Sequence, residues 1–260
     1  MSLRCGQHVG DGVTGDGVAR SSRSFARRSK KKKSRHEVSV PKRLPCDGHI
    51  MTHSTTNSDH ASAPIIVVRH GESEWNVLGK WQGRADTNLT DAGRRQALDA
   101  ARHLATSGIA IDRVVASSLR RASETAAIIA AHLGLAVPEV DDRLVETDVG
   151  PWEGLREHEI EAAWPNYLAE RRTPPNFEAP LNVFARATSA LREHALRGDR
   201  TLVVSHSGVI RTLRRVMNAH DRRLHNLEGC FFTVSHTGVV AAGDFIALAA
   251  ASRATTNDSV

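Results

Sequence analysis

The chain is 260 residues long, 40% hydrophobic and 25% charged, which suits one large domain or two small ones with ample room for a core. Its formal net charge of +6 is unevenly placed: residues 1–62 carry 12 Lys and Arg against 5 Asp and Glu, and the rest carries 23 against 24. Cys5, Cys46 and Cys230 are far apart and odd in number, and no run of about 18 apolar residues occurs, which excludes a disulfide framework, a cysteine zinc site and a transmembrane helix.

Segment 1–62 is rich in Gly, Ser, Arg and Lys and contains Lys30-Lys31-Lys32-Lys33. Without hydrophobic periodicity it cannot bury enough apolar surface to offset its chain entropy, so a disordered basic tail is expected. Such a run is more often solvated than a nuclear, nucleic-acid or anionic-membrane patch, and translation starting at Met51 would remove most of it. No apolar core of a secretory signal is present, and a reducing cytoplasm is the expected compartment.

Pro64-Ile65-Ile66-Val67-Val68, closed by Arg69-His70-Gly71-Glu72, reads as a buried parallel strand with His70 at its carboxyl end. Gln82 to Asn88 is polar loop, and Leu89 to Gly93 opens a helix whose apolar positions Ala97, Leu98, Ala101 and Leu104 run to a stop at Ser107-Gly108. Arg113 to Ala116 reads as the next strand, after which Ser117 and Ser118 are placed to cap a helix carrying Ile128, Ile129 and Leu133.

Residues 155–180 form a helical excursion and loop bearing Trp164, Tyr167 and Phe177, and a long helix follows from about Pro180 to Leu196. Thr201-Leu202-Val203-Val204-Ser205 is a second short apolar strand, ended by His206-Ser207-Gly208 and a helix. Residues 229–243 suit closing strands, and 249–260 a frayed end. Strand and helix alternate, which predicts an α/β fold with a mostly parallel central sheet flanked by helices on both faces, over residues 63–248. Two histidines end two strands, where ligands bind in open α/β sheets.

Arg69-His70-Gly71-Glu72-Ser73-Glu74-Trp75-Asn76 and Ser205-His206-Ser207-Gly208-Val209-Ile210-Arg211 resemble the nucleophile and second-histidine motifs of the histidine phosphatase superfamily, which includes the cofactor-dependent phosphoglycerate mutases. Ser117 to Ala126 is similar to its second arginine motif, with Arg121 in register. Leu144 to Gly154 is similar to its acid motif, with Glu146 in register. Four motifs in order, over roughly Ile65 to Val240, carry the resemblance.

The resemblance implies that His70 attacks phosphorus and becomes phosphohistidine. Arg69, Arg121 and a protonated His206 would surround the phosphoryl oxygens, with the helix start after His206 adding backbone donors. Glu146 would be acid and then base. It further implies substrate-binding positions at Ser73, Asn76, Gln82, Gly83 and Ser207, a lid at about 155–180, and no metal or other cofactor. The expected partner is a small phosphorylated metabolite, neither membrane nor nucleic acid is expected, and a homodimer is left open.

The nearest rival is a phosphoglycerate mutase, faintly echoed by Arg171-Arg172-Thr173-Pro174-Pro175. Mutases, however, carry a longer insertion between acid and second histidine. Pro175-Asn176-Phe177-Glu178-Ala179 departs from the Gly-Gly-Glu-Ser-like stretch of many phosphatases in the group, which leaves the substrate open. A degenerate phosphate-binding or basic-tailed adaptor protein is the reading from another class, and the presence of every catalytic residue type argues against it. A metal hydrolase lacks recognisable ligand spacing.

Overall fold

A computed structural model describes residues 64–249; the expectations for segment 1–62 and for residues 250–260 lie outside these. Strand β1 (Ile65–Arg69) leads to two helices, the short α1 (Glu74–Leu78) and α2 (Asp91–Thr106), and then to β2 (Arg113–Ala116) and α3 (Arg120–His132). A two-residue β3 (Glu139–Val140), α4 (Glu157–Ala163), α5 (Pro180–Ala195), β4 (Thr201–Ser205) and α6 (Ser207–Val216) follow, and the hairpin β5 (Glu228–Val234) and β6 (Val240–Ala247) closes the chain.

The six strands form one sheet in the order β3-β2-β4-β1-β5-β6. The first four are mutually parallel, and β5 and β6 add an antiparallel edge. The closing strands thus run four residues past the expected end at 243. Both β1 and β4 are buried along their whole length, because helices cover both faces, and this is why their sequences are continuous Val/Ile/Leu runs without polar alternation.

The period of two sorts their side chains into two cores. Ile65, Val67, Val115 and Val203 pack with Val183, Leu191, Ile210 and Leu213 of α5 and α6. Ile66, Val68, Val114, Leu202 and Val204 pack with Ala101, Leu104, Ala126 and Ile129 of α2 and α3. At about 1.5–3 kcal/mol for each large apolar side chain buried, these two layers hold the parallel core. A third cluster, Trp81, Val149, Trp152 and Ile160, gathers Trp164, Tyr167, Leu168 and Phe177 of the excursion around it.

Helix α3 departs from expectation at its start. Its N-cap is Leu119, with no side-chain cap, and Ser117 is instead directed to another partner described below. The glycines at 71 and 93 have a packing reason: a Cβ on Gly71 would run into the Gly93 carbonyl, and one on Gly93 into the Glu72 backbone. The segment after β1 therefore lies directly against the first turn of α2.

Candidate active site

Parallel pairing of β1 with β4 sets Arg69 opposite Ser205, so the residues that follow each strand emerge side by side. The His70 amide donates to the Ser205 carbonyl at 3.0 Å and the Ser117 amide to the Val204 carbonyl at 3.0 Å. Three adjacent strand ends thus bring His70, His206 and Ser117 together. The two imidazoles lie with ring centroids 5.3 Å apart, tilted at 60°.

His70 is buried and held by its backbone neighbours. Nδ1 lies 2.6 Å from the Gly71 carbonyl, an acceptor only, so this nitrogen carries the proton and donates. Nε2 therefore presents its lone pair, toward which Arg121 Nε donates at 3.2 Å. Arg121 is fixed in turn by donating to the carbonyls of Ala85 at 2.6 Å and Gly83 at 2.9 Å. Arg69 donates to the Leu224 carbonyl at 2.8 Å.

Burial, and then the charges of Arg121 and Arg69, push His70 well below its ordinary value. Burial, Arg121 and His70 do the same to His206. The expectation of a protonated His206 concerns a site that holds a phosphoryl group; without that charge, a dry environment and the neighbouring guanidiniums disfavour a proton there. His206 Nε2 instead lies 2.8 Å from Ser117 Oγ.

Glu146 arrives from the loop after β3. Glu146 accepts from its neighbour Thr147 N at 2.7 Å and from Gly208 N at 3.1 Å. A Cβ at Gly208 would collide with this carboxylate, so glycine in the first turn of α6 is what lets Glu146 approach. The helix start expected to be open to an anion is here turned partly toward this carboxylate. Arg186 holds the loop from behind, donating to the carbonyls of Arg143 (2.8 Å), Val145 (2.5 Å) and Glu146 (3.1 Å) while pairing with Glu178 at 2.8 Å.

His70, Gln82, Gly83, Arg121 and Glu146 line one small pocket with Trp81, Val149 and Gly208. Ser73 and Asn76 stand behind it as a capping box on α1, Ser73 Oγ also donating to Gln82 Oε1 at 2.7 Å. Ser207 is buried at the start of α6. Residues that sequence reasoning did not single out complete the arrangement: Ser117 at His206, Thr125 accepting from Gly71 N at 3.1 Å, Asn226 donating to the His70 carbonyl at 2.9 Å, and Arg186. Only Ser117 left a signal, as the polar residue ending a third strand.

The linked pH dependence has a definite sign. An unfolded histidine takes up a proton near pH 6.5, whereas buried His70 and His206 do so only well below that. As pH falls below 6.5 the unfolded chain binds protons that the folded one refuses, so stability drops, by up to about 1.4 kcal/mol per pH unit for each histidine. His194, buried against Asp141 and also lowered, adds the same sign. Melting temperature is expected to fall from pH 6.5 to pH 5, above the carboxylate range; a flat profile would show that these histidines take up protons in the fold as readily as in the unfolded chain.

Two histidines and an arginine stand at the carboxyl ends of the parallel strands, and the chain belongs to the histidine phosphatase superfamily (branch 1), whose family model matches residues 65–244. Among particular relatives, it is 39% identical over 174 residues to phosphoglycerate mutase-like protein 4 of Arabidopsis thaliana, covering 64% of this chain and 75% of that one. It is 34% identical over 166 residues to the 2,3-bisphosphoglycerate-dependent phosphoglycerate mutase of a Methylobacterium species, covering 59% and 80%. A mycobacterial glucosyl-3-phosphoglycerate phosphatase solved with VO3 superposes with a TM-score of 0.62 at 27% identity, covering 72% of this chain and all of that one. Among the described residues, no helix is long and apolar enough to cross a membrane.

Proposed function

We propose that the protein is a metal-independent phosphomonoesterase that hydrolyses a small phosphorylated metabolite through a phosphohistidine on His70. The observation that carries this is the tethered Nδ1 of His70, which turns an unprotonated Nε2 toward Arg121 in a pocket shared with Glu146. Phosphate monoester hydrolysis is among the slowest uncatalysed reactions, with enzymatic accelerations up to about 10²¹-fold, so charge neutralisation and positioning must dominate.

In this reading the Nε2 lone pair attacks phosphorus, the ester P–O bond breaks, and Glu146 gives its proton to the departing alkoxide. Water then attacks the phosphohistidine, Glu146 takes the water's proton, the P–N bond breaks and inorganic phosphate leaves. Arg69 and Arg121 neutralise the phosphoryl oxygens, and forked guanidinium donors suit them better than lysine would. The phosphoryl dianion reverses the local charge balance, which favours protonation of His206 on binding.

Release of inorganic phosphate from p-nitrophenyl phosphate tests the proposal, and activity is expected to persist in excess chelator. Loss of activity on chelation, restored by a divalent cation, would replace it with a metal hydrolase. The mutase relatives support a second reading, transfer to another hydroxyl of a phosphoglycerate; isomerisation without phosphate release would establish that reading instead.

A further inference from the structure

An arginine side chain carries five N–H donors in a rigid planar fork, and each one of Arg186 is matched. Nε and one N–H of Nη2 run to the two oxygens of Glu178, at 2.8 and 3.0 Å. The rest meet backbone carbonyls of the segment that carries Glu146: Nη1 those of Arg143 (2.8 Å) and Val145 (2.5 Å), and Nη2 that of Glu146 itself (3.1 Å). Because the fork is rigid, the bidentate grip of Glu178 fixes where the remaining donors point. Without that grip, a long arginine stem has many rotamers open to it.

Glu178 is also tied to the loop beyond Glu146. Its Oε2 accepts from the Asp148 amide at 3.1 Å, and its own amide donates to the Asp148 carbonyl at 2.8 Å. A Cβ on Gly150 would stand 3.0 Å from the Pro175 carbonyl, so residues 175–178, the end of the excursion, lie directly along residues 148–150. The Glu178 and Arg186 side chains are only 10% and 16% exposed, where a matched charge pair is strong and an unmatched charge is costly. Arg84 reaches the same carboxylate at 3.3 Å from a side chain that is 45% exposed, where a single ion pair contributes little.

Glu146 is thus held at both ends, its carbonyl by Arg186 and its carboxylate by Thr147 N and Gly208 N. Neither Glu178 nor Arg186 lines the pocket that His70 shares with Glu146, so the pair acts on the reaction through other residues. Resting on the phosphatase reading above, we infer that Glu178 is a positioning residue for proton transfer: its carboxylate orients Arg186, and Arg186 fixes the Glu146 backbone so that the Glu146 carboxyl meets the leaving oxygen. A displacement of about 1 Å in such a group costs about 10²-fold in rate.

The full chain and its variants are assayed on p-nitrophenyl phosphate and phenyl phosphate, esters of similar shape whose leaving groups differ in basicity. Here kcat/KM reports the steps through phosphorylation of His70, in which the more basic phenolate depends on the proton of Glu146. In Glu178→Gln the amide keeps one acceptor and sets its amino group against an arginine N–H. This variant is expected to lower kcat/KM for phenyl phosphate by about 10²-fold and that for p-nitrophenyl phosphate far less. In a Glu146→Gln background the same change has no further effect on phenyl phosphate. Arg186→Lys, which keeps the charge and loses the fork, shows the same signature, and Arg84→Gln leaves the ratio of the two esters at its native value. A merely structural role, or one exerted through His206, which the Arg186 charge also reaches, lowers both esters alike.

Equal losses on both esters, a loss that adds to that of Glu146→Gln, or an effect of Arg84→Gln as large as that of Glu178→Gln overturns the inference and leaves the phosphatase reading standing. A native ratio in Glu146→Gln itself removes the general acid from that reading, and the inference falls with it. Arg186→Lys decides if Glu178→Gln does not fold. If neither variant folds, the pair is a structural support and the inference is overturned.

Discussion

His70→Ala is expected to abolish turnover, by at least about 10⁴-fold, while the fold stays in place. Loss of the nucleophile removes the covalent intermediate altogether, and neither neighbouring arginine can replace it. His206 is no substitute, since its Nε2 is committed to Ser117 Oγ. The fold should survive because the imidazole belongs to none of the three apolar clusters, and its removal takes a group crowded by Arg69 and Arg121 out of a dry site. Native enzyme mixed briefly with radiolabelled substrate and quenched should hold label that is acid-labile and base-stable, and the variant should hold none. Label retained on His70→Ala would move the nucleophile elsewhere.

Glu146→Gln should separate the two chemical steps. The side chain keeps its length, though its amide can accept from only one of Thr147 N and Gly208 N, and it can neither give nor take the reaction's proton. With an alkyl phosphate the strongly basic leaving group needs that proton, so phosphorylation of His70 should slow by roughly the 10²–10⁴-fold of a lost general acid. A nitrophenolate departs unaided. Phosphorylation by the aryl ester then stays fast while water lacks its base, giving a burst of nitrophenol, slow turnover and accumulated phosphohistidine. Equal losses toward both esters with no burst would remove Glu146 from the dual role. Asp148 and Glu153 would then be the carboxylates to test.

These expectations rest on sites of unequal legibility. The strands carrying His70 and His206 were readable because each is a continuous apolar run, the signature of burial on both faces, and the four motifs placed Arg121 and Glu146 by register. Helix α2 was readable from its spacing, because one face is buried and the other solvated. The two-residue β3 was not, being too short to have a period. Nor was the cap of α3: serines before a helix ordinarily cap it, and only the neighbouring strand end explains why Ser117 serves His206 instead.

Local sequence therefore determined that β1, β2 and β4 are strands, about where each ends, and which residue types stand at those ends, since all of this follows from periodicity and turn chemistry along a few residues. The tertiary structure alone decided what those residues meet. The order β3-β2-β4-β1 sets three strand ends side by side, Gly208 admits the Glu146 carboxylate, and Arg186 braces the acid loop from more than thirty residues away. The lowered basicity of His206 belongs here too. An isolated imidazole near pH 6.5 would be partly charged, and it is burial beside Arg121 and His70 that disfavours that proton.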